Sequence, residues 1–168
     1  MAKPSMSIKF DPRLLNQQLE DIGGAALSAV RPAAQAGAQV LYDEVKLNVG
    51  RIKKKTGNLD ASIYQAFSAD NSRVSGARFG SRDAYEAATY HISWNARKAP
   101  HGHLVEYGHL MTRKAYIGSD GKWYTSKVKI DPKLVGARPF LRPAFDAKRV
   151  SALQAAEARW IAETQKAL

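Results

Sequence analysis

Three of the four histidines in this 168-residue chain, His101, His103 and His109, crowd one short segment, with Glu106 between them. Imidazole and carboxylate are the ligand types that hold zinc and other divalent cations. The spacing matches no established metal motif, however, and histidines among prolines and glycines are commonly solvated, so neither a metal site nor any other cofactor is expected. Nucleophilic chemistry is poorly served as well. There is no cysteine, no G-x-S-x-G elbow, and no serine recognisably paired with His and Asp. Glu20-Asp21 and Asp43-Glu44 are adjacent on helices and face different directions, and "GARFGSRDA" is neither a phosphate loop nor a dinucleotide fingerprint. A nuclease built from His91, Glu106 and nearby arginines is conceivable but carries no motif. No catalytic residue is assigned and no enzyme is expected.

The remaining chemistry is cationic. Lys and Arg number 26 against 15 acids, for a formal net charge of +11. That excess favours a polyanionic neighbour, although a generic basic surface gives the same count. The densest cluster is Arg51, Lys53, Lys54 and Lys55, in a segment expected to be an exposed loop able to neutralise phosphates. Base-reading motifs are missing, so any DNA contact should be independent of sequence. Absence of cysteine excludes disulfides and thiolate metal sites. The N-terminal segment lacks the apolar core of a signal peptide, and no apolar run approaches the roughly 20 residues of a membrane span. No membrane partner is therefore expected.

The positioning elements are legible from periodicity and turn chemistry. Length favours a single domain over 1–168. Residues 6–10 alternate like a short strand, and Asp11-Pro12 reads as a helix start. Leu15, Leu19, Ile22, Ala26 and Ala29 recur at helical spacing, Pro32 should kink or split the helix over 29–32, and the pattern resumes to Asn48–Gly50 with Gly50 as its C-terminal stop. Strands are expected at 62–67, 74–79 and, most clearly, 87–95, where Ala88, Tyr90, Ile92 and Trp94 alternate with polar residues. "LVEYGH" reads as a short helical piece closed by Gly108. Residues 110–130 read as a protruding hairpin around Asp120-Gly121. In "ARPFLRPAF", Pro139 and Pro143 stiffen the lead-in to a last helix beginning near Pro143, whose buried stripe should be Val150, Leu153, Trp160, Ile161, Thr164 and Leu168. The expected class is α+β: a long N-terminal helix, kinked or split near Pro32, and a C-terminal helix packed on a mainly antiparallel sheet of four to five strands.

Three segments in order, "KKKTGNLDASI", "HLVEYGH" and "ARPFLRPAFDA", resemble the neck or tail-completion family of lambda-type long-tailed bacteriophages, also called minor tail components. The family elements T-G-x-L-x-x-S-I, [V/A]-E-[Y/F]-G and x-P-F-[L/M]-R-P-A fall on Thr56–Ile63, Val105–Gly108 and Arg138–Ala144. Each is weak alone; their order and spacing make the resemblance specific. It implies a non-enzymatic structural virion protein, assembled in the host cytoplasm, that completes the head-proximal end of the tail as a homo-oligomeric ring. Implied neighbours are head-closure, tail-terminator and tail-tube proteins, with non-specific contact to DNA in the channel through Arg51, Lys53, Lys54 and Lys55.

The same resemblance marks Thr56, Gly57, Leu59, Ile63, Glu106, Tyr107, Gly108, Arg138, Pro139, Phe140, Arg142 and Pro143 as structural or interface residues. Gly57 would allow a sharp turn, Leu59 and Ile63 would pack beneath the long helix, Gly108 would supply a positive φ, and Glu106 would pair with an arginine, with Arg138 and Arg142 the nearest in kind. Plain packing within the chain stays open for all three motifs. The alternative function is a free-standing, basic, sequence-independent nucleic-acid-binding protein.

Overall fold

The computed structural model describes residues 12–52, 57–73 and 87–167. The expected strands at 6–10 and 74–79, Asp11, Lys53, Lys54, Lys55 and Thr56 lie outside the described residues. The element order is α1 (Pro12–Ser28), α2 (Val30–Arg51), α3 (Asn58–Ser62), β1 (Ile63–Arg73), β2 (Ala87–Trp94), α4 (Gly102–Tyr107), β3 (His109–Ile117), β4 (Trp123–Val135) and α5 (Leu141–Lys166). The class is α+β, with a long bent N-terminal helix and a C-terminal helix. The four described strands form two antiparallel two-stranded ribbons, β1–β2 and β3–β4, where one sheet was expected. Among the described residues no helix is long and apolar enough to cross a membrane.

Proline sets the first bend. Helical regularity lapses only at Ala29, between α1 and α2. Pro32 has no N–H to offer the carbonyl one turn back, on Ser28, and its ring crowds that group. The main-chain bonds from Ala29 N to Ala25 O (3.1 Å) and from Ala33 N to Ala29 O (3.0 Å) persist on either side, so the helix bends rather than ends. At the far end α2 passes through Gly50 to Arg51. Gly50, expected to stop the helix, lies within it, whereas Gly57, expected to allow a sharp turn, has φ 76°. An Ile52 N to Val49 O bond of 3.1 Å tightens the final turn.

The described residues cluster into two compact units: those up to Ala38, Phe67–Tyr90 and from Ser151 onward form one, and Gln39–Ala66 with His91–Val150 forms the other. The first is lined by small residues, Ala25, Ala29, Ala33, Ala38 and Ala152, all buried. A Cβ on Gly37 would come within 2.9 Å of the Ala152 carbonyl and 3.3 Å of the Ala156 methyl. That close approach of α2 and α5 explains why the expected stripe on α5 is not the buried one. Val150, Leu153, Trp160 and Ile161 are exposed, while Ala144 and Ala152 are buried. Where backbones pack this closely the seam has room for methyl groups and not for leucines. Trp160 is tied at its edge, its indole N–H donating to the Ala26 carbonyl at 2.9 Å, and Arg31 lies 4.2 Å over the Phe67 ring.

The second unit holds the larger core: Val45, Val49, Leu59, Ile63, Ala99, Phe140 and Ala144, with Tyr42, Ile52, Ile92, Trp94, Val105 and Leu141 packed around it. Leu59 and Ile63 thus share a core with Val45 and Val49 of α2. Lys46 of α2 donates to the Asp60 carbonyl at 2.7 Å and pairs with the Asp60 carboxylate, fixing α3 to α2. β2 follows the expected bounds to within a residue, but its burial does not alternate cleanly, since Thr89 and Ser93 are as half-buried as Tyr90 and Ile92.

Candidate functional site at the start of α5

The site is built by α4 and the proline-flanked lead-in, both within the second unit. The Asn95 side chain accepts from the main-chain N–H of Arg97 at 2.9 Å, a local turn that sends the chain toward α4. Asn95 N–H also donates to the Ser62 carbonyl at 2.9 Å. Gly102 opens α4 against the Trp94 indole, where any Cβ would collide with the ring. Gly108 closes it with φ 74°, and a Cβ there would meet Ala137 N and Val135 O, each at 2.8 Å. Glycine is required twice over at Gly108, by backbone conformation and by space. The lead-in is then latched by Arg138 N–H donating to the Val105 carbonyl at 2.8 Å.

Glu106 is the centre of this arrangement. It is 1% exposed, and its carboxylate faces the first N–H groups of α5, which no helical carbonyl can satisfy. Oε2 accepts from Phe140 N at 2.7 Å and Leu141 N at 3.1 Å, and Oε1 accepts from Arg142 N at 3.3 Å. The Arg142 side chain adds Nε to Oε1 at 3.4 Å and Nη2 to the Glu106 carbonyl at 3.3 Å. Glu106 therefore caps α5 from another element, and its negative charge sits at the positive end of the helix dipole. Burial pushes its carboxyl pKa up, but the donors of Phe140, Leu141 and Arg142 outweigh that and hold it below the ordinary carboxylate value. Of the two arginines considered as partners, Arg142 makes the contact, and the main-chain amides dominate because the Arg142 side chain is 60% exposed.

Phe140, fully buried, anchors the lead-in. Its ring meets Trp94 edge-on, with centroids 5.9 Å apart, and its carbonyl accepts from the Asn48 side chain at 3.2 Å. α5 begins at Leu141, two residues before Pro143, which sits in the first turn where its missing N–H costs nothing. Asn48, Arg51, Ile52, Arg138, Pro139 and Pro143 line an open cleft of about 360 Å³.

The structure thus gathers Glu106, Phe140 and Arg142 into one network, and sets Arg51, Arg138, Pro139 and Pro143 around one cleft. Tyr107 is exposed, with the Arg142 guanidinium 5.0 Å from its ring centroid. Gly57 precedes α3, and Leu59 and Ile63 belong to the core. Asn48 and Trp94 were not assigned roles in the site. The signal for Asn48 was present, because Val45, Asn48, Val49 and Ile52 recur at helical spacing and Asn48 is the polar member of an apolar stripe. His101 and His103 are exposed and His109 is half-buried. Among the described residues no group of three metal-ligating side chains is placed to hold an ion.

A family model described as "Bacteriophage HK97-gp10, putative tail-component" matches residues 14–108, which is 95 of the 168 residues. The match runs from α1 through Glu106 to Gly108, and the β3–β4 ribbon and α5 follow it. Searches of curated proteins and of solved structures return no match. The chain belongs to the HK97 gp10-like family of bacteriophage tail components, structural proteins of the virion.

Proposed function

We propose that the chain is a non-enzymatic adaptor at the head–tail junction, where copies form a ring that completes the head-proximal end of the tail around the DNA channel. The observation that carries this reading is the amount of large apolar surface left uncovered. In the second unit Leu110 is 58% exposed, Leu134 75% and Phe145 56%; in the first, Leu14 is 66% and Leu153 70%. Leu110 and Leu134 lie directly opposite each other on the β3–β4 ribbon, and a contiguous apolar patch of this kind, left uncovered, marks a site where another chain docks. The Glu106 cap supports the same reading, since it holds the start of α5 and the Arg138 cleft in one conformation for a neighbour to meet.

In this account the ring neighbours are further copies of the chain, and the axial neighbours are head-closure, tail-terminator and tail-tube proteins. Arg51, Lys53, Lys54 and Lys55 face the channel and screen passing DNA. The test is light scattering of the purified chain alone and mixed with purified tails, followed by imaging of the complexes. A ring on the head-proximal tail end supports the proposal. A monomer that ignores tails and binds DNA steeply with falling salt supports the free-standing nucleic-acid binder instead.

A further inference from the structure

The β3–β4 ribbon carries a charge arrangement that the fold itself does not resolve. Between His109 and Val135 stand six cations, Arg113, Lys114, Lys122, Lys127, Lys129 and Lys133, against two acids, Asp120 and Asp131. Asp120 is used at the tip, where its carboxylate accepts from the Tyr124 hydroxyl at 2.7 Å and Lys122 N at 3.1 Å and lies 3.8 Å from Lys122 Nζ. The antiparallel register places Met111 opposite Lys133 and Arg113 opposite Lys129. Residues directly opposite share a face, and so do alternate residues of one strand. Arg113 and Lys129 therefore share a face, Lys133 stands opposite Met111 beyond a register shift, Leu110 is opposite Leu134, and Tyr116 is stacked on Tyr124.

A directly opposed pair of cations destabilises a ribbon unless an anion covers it. Among the described residues none of the three basic groups is paired with an acid, and Arg113 and Lys129 are exposed. A two-stranded ribbon is also marginal in water by itself. We infer that the cationic face of the β3–β4 ribbon is a binding surface for the phosphate backbone of double-stranded DNA, with Arg113, Lys129 and Lys133 as its contacts. DNA suits it better than an acidic protein because a duplex presents a regular, uniformly negative backbone to exposed, unpaired cations. The contacts read no bases, so binding is independent of sequence. The inference deepens the proposed function and rests on it for the presence of DNA beside the ribbon.

The test is the binding of a labelled random-sequence DNA duplex, by fluorescence anisotropy, across a range of salt concentrations. The proteins compared are the full chain, the triple variant Arg113→Thr, Lys129→Thr, Lys133→Thr, and a loop variant with Arg51, Lys53, Lys54 and Lys55 changed to Gln. Threonine suits strands, and removing the opposed cations leaves the urea midpoint unchanged or raised. The triple variant is expected to flatten the slope of log affinity against log salt by about 2.7, at about 0.9 for each lost phosphate contact. The charge-retaining variant Arg113→Lys, Lys129→Arg, Lys133→Arg keeps the slope. An unchanged slope in the triple variant overturns the inference, as does absence of DNA binding by the full chain. If the slope falls only in the loop variant, the ribbon inference fails while the channel-facing role of the loop stands. If it falls only in the triple variant, the ribbon stands and the loop assignment fails.

Discussion

Replacing Glu106 with glutamine keeps the shape of the side chain and removes its charge. One carboxylate oxygen becomes an NH2 group, which must face either the N–H groups of Phe140 and Leu141 or that of Arg142. One or two hydrogen bonds to a charged acceptor are lost, each contributing about 1.5–3 kcal/mol. The exposed Arg142 side chain adds less than about 1 kcal/mol. The expected loss is about 2–4 kcal/mol, read as a fall in urea midpoint of about 1–2 M at unchanged m-value. Acid supplies an internal control. The folded-state pKa of Glu106 is depressed, so the unfolded chain, with a carboxyl pKa of about 4.3, takes up the proton first as pH falls. The stabilisation is complete above that value and disappears as pH drops through the folded-state pKa. The gap between wild type and Glu106→Gln should therefore be full at pH 6 and should narrow progressively as pH falls below about 4.3. Midpoints that coincide at pH 6, or a gap that acid leaves untouched, would show that the carboxylate does not hold α5.

Glycine and core positions give three further expectations. Gly108→Ala meets two main-chain atoms at 2.8 Å at a positive φ with extended ψ, a region open essentially to glycine, so it should lower stability by more than about 2 kcal/mol, whereas Gly24→Ala, with open space at the Cβ, should be neutral or stabilising by up to about 1 kcal/mol. Gly37→Val should loosen the α2–α5 seam of the first unit, visible as faster amide hydrogen exchange in Ala33, Ala152 and their neighbours, because the opposing atom is the main-chain carbonyl of Ala152. Phe140→Ala empties a fully buried site against Trp94 and should cost about 3–5 kcal/mol in urea titration.

Element types were largely legible because their causes are local. Pro32 announced the bend, Gly108 the end of α4, and Asp120-Gly121 the ribbon tip. What failed to show was what elements do to one another. Val150, Leu153, Trp160 and Ile161 form an apolar stripe by spacing, yet the buried face of α5 is the alanine face, because the seam admits only small residues. Alternation predicted strands without stating which pair with which, so two ribbons appeared where one sheet was expected. Gly50 and Gly57 were both candidates for a left-handed turn, and composition does not choose between them.

The site was half legible. Glu106 stood out as an acid in an apolar context beside a glycine, and an arginine was the natural partner to expect. Its main role, accepting from three successive amides, depends on a meeting of segments 34 residues apart in the chain. For Asn48 the spacing showed a polar member of an apolar stripe, but its partner, the Phe140 carbonyl, lies 92 residues away in the chain.

The claim that organises the rest is that this tail component works as a ring at the head–tail junction. It is tested most directly by cryo-electron microscopy of virions, comparing particles with and without the chain. The account predicts a closed ring of density at the junction, made of copies with α5 docked on Glu106, and its loss together with tail attachment when the chain is deleted. Particles whose junction is unchanged by the deletion, or in which the chain is found elsewhere in the virion, would contradict it.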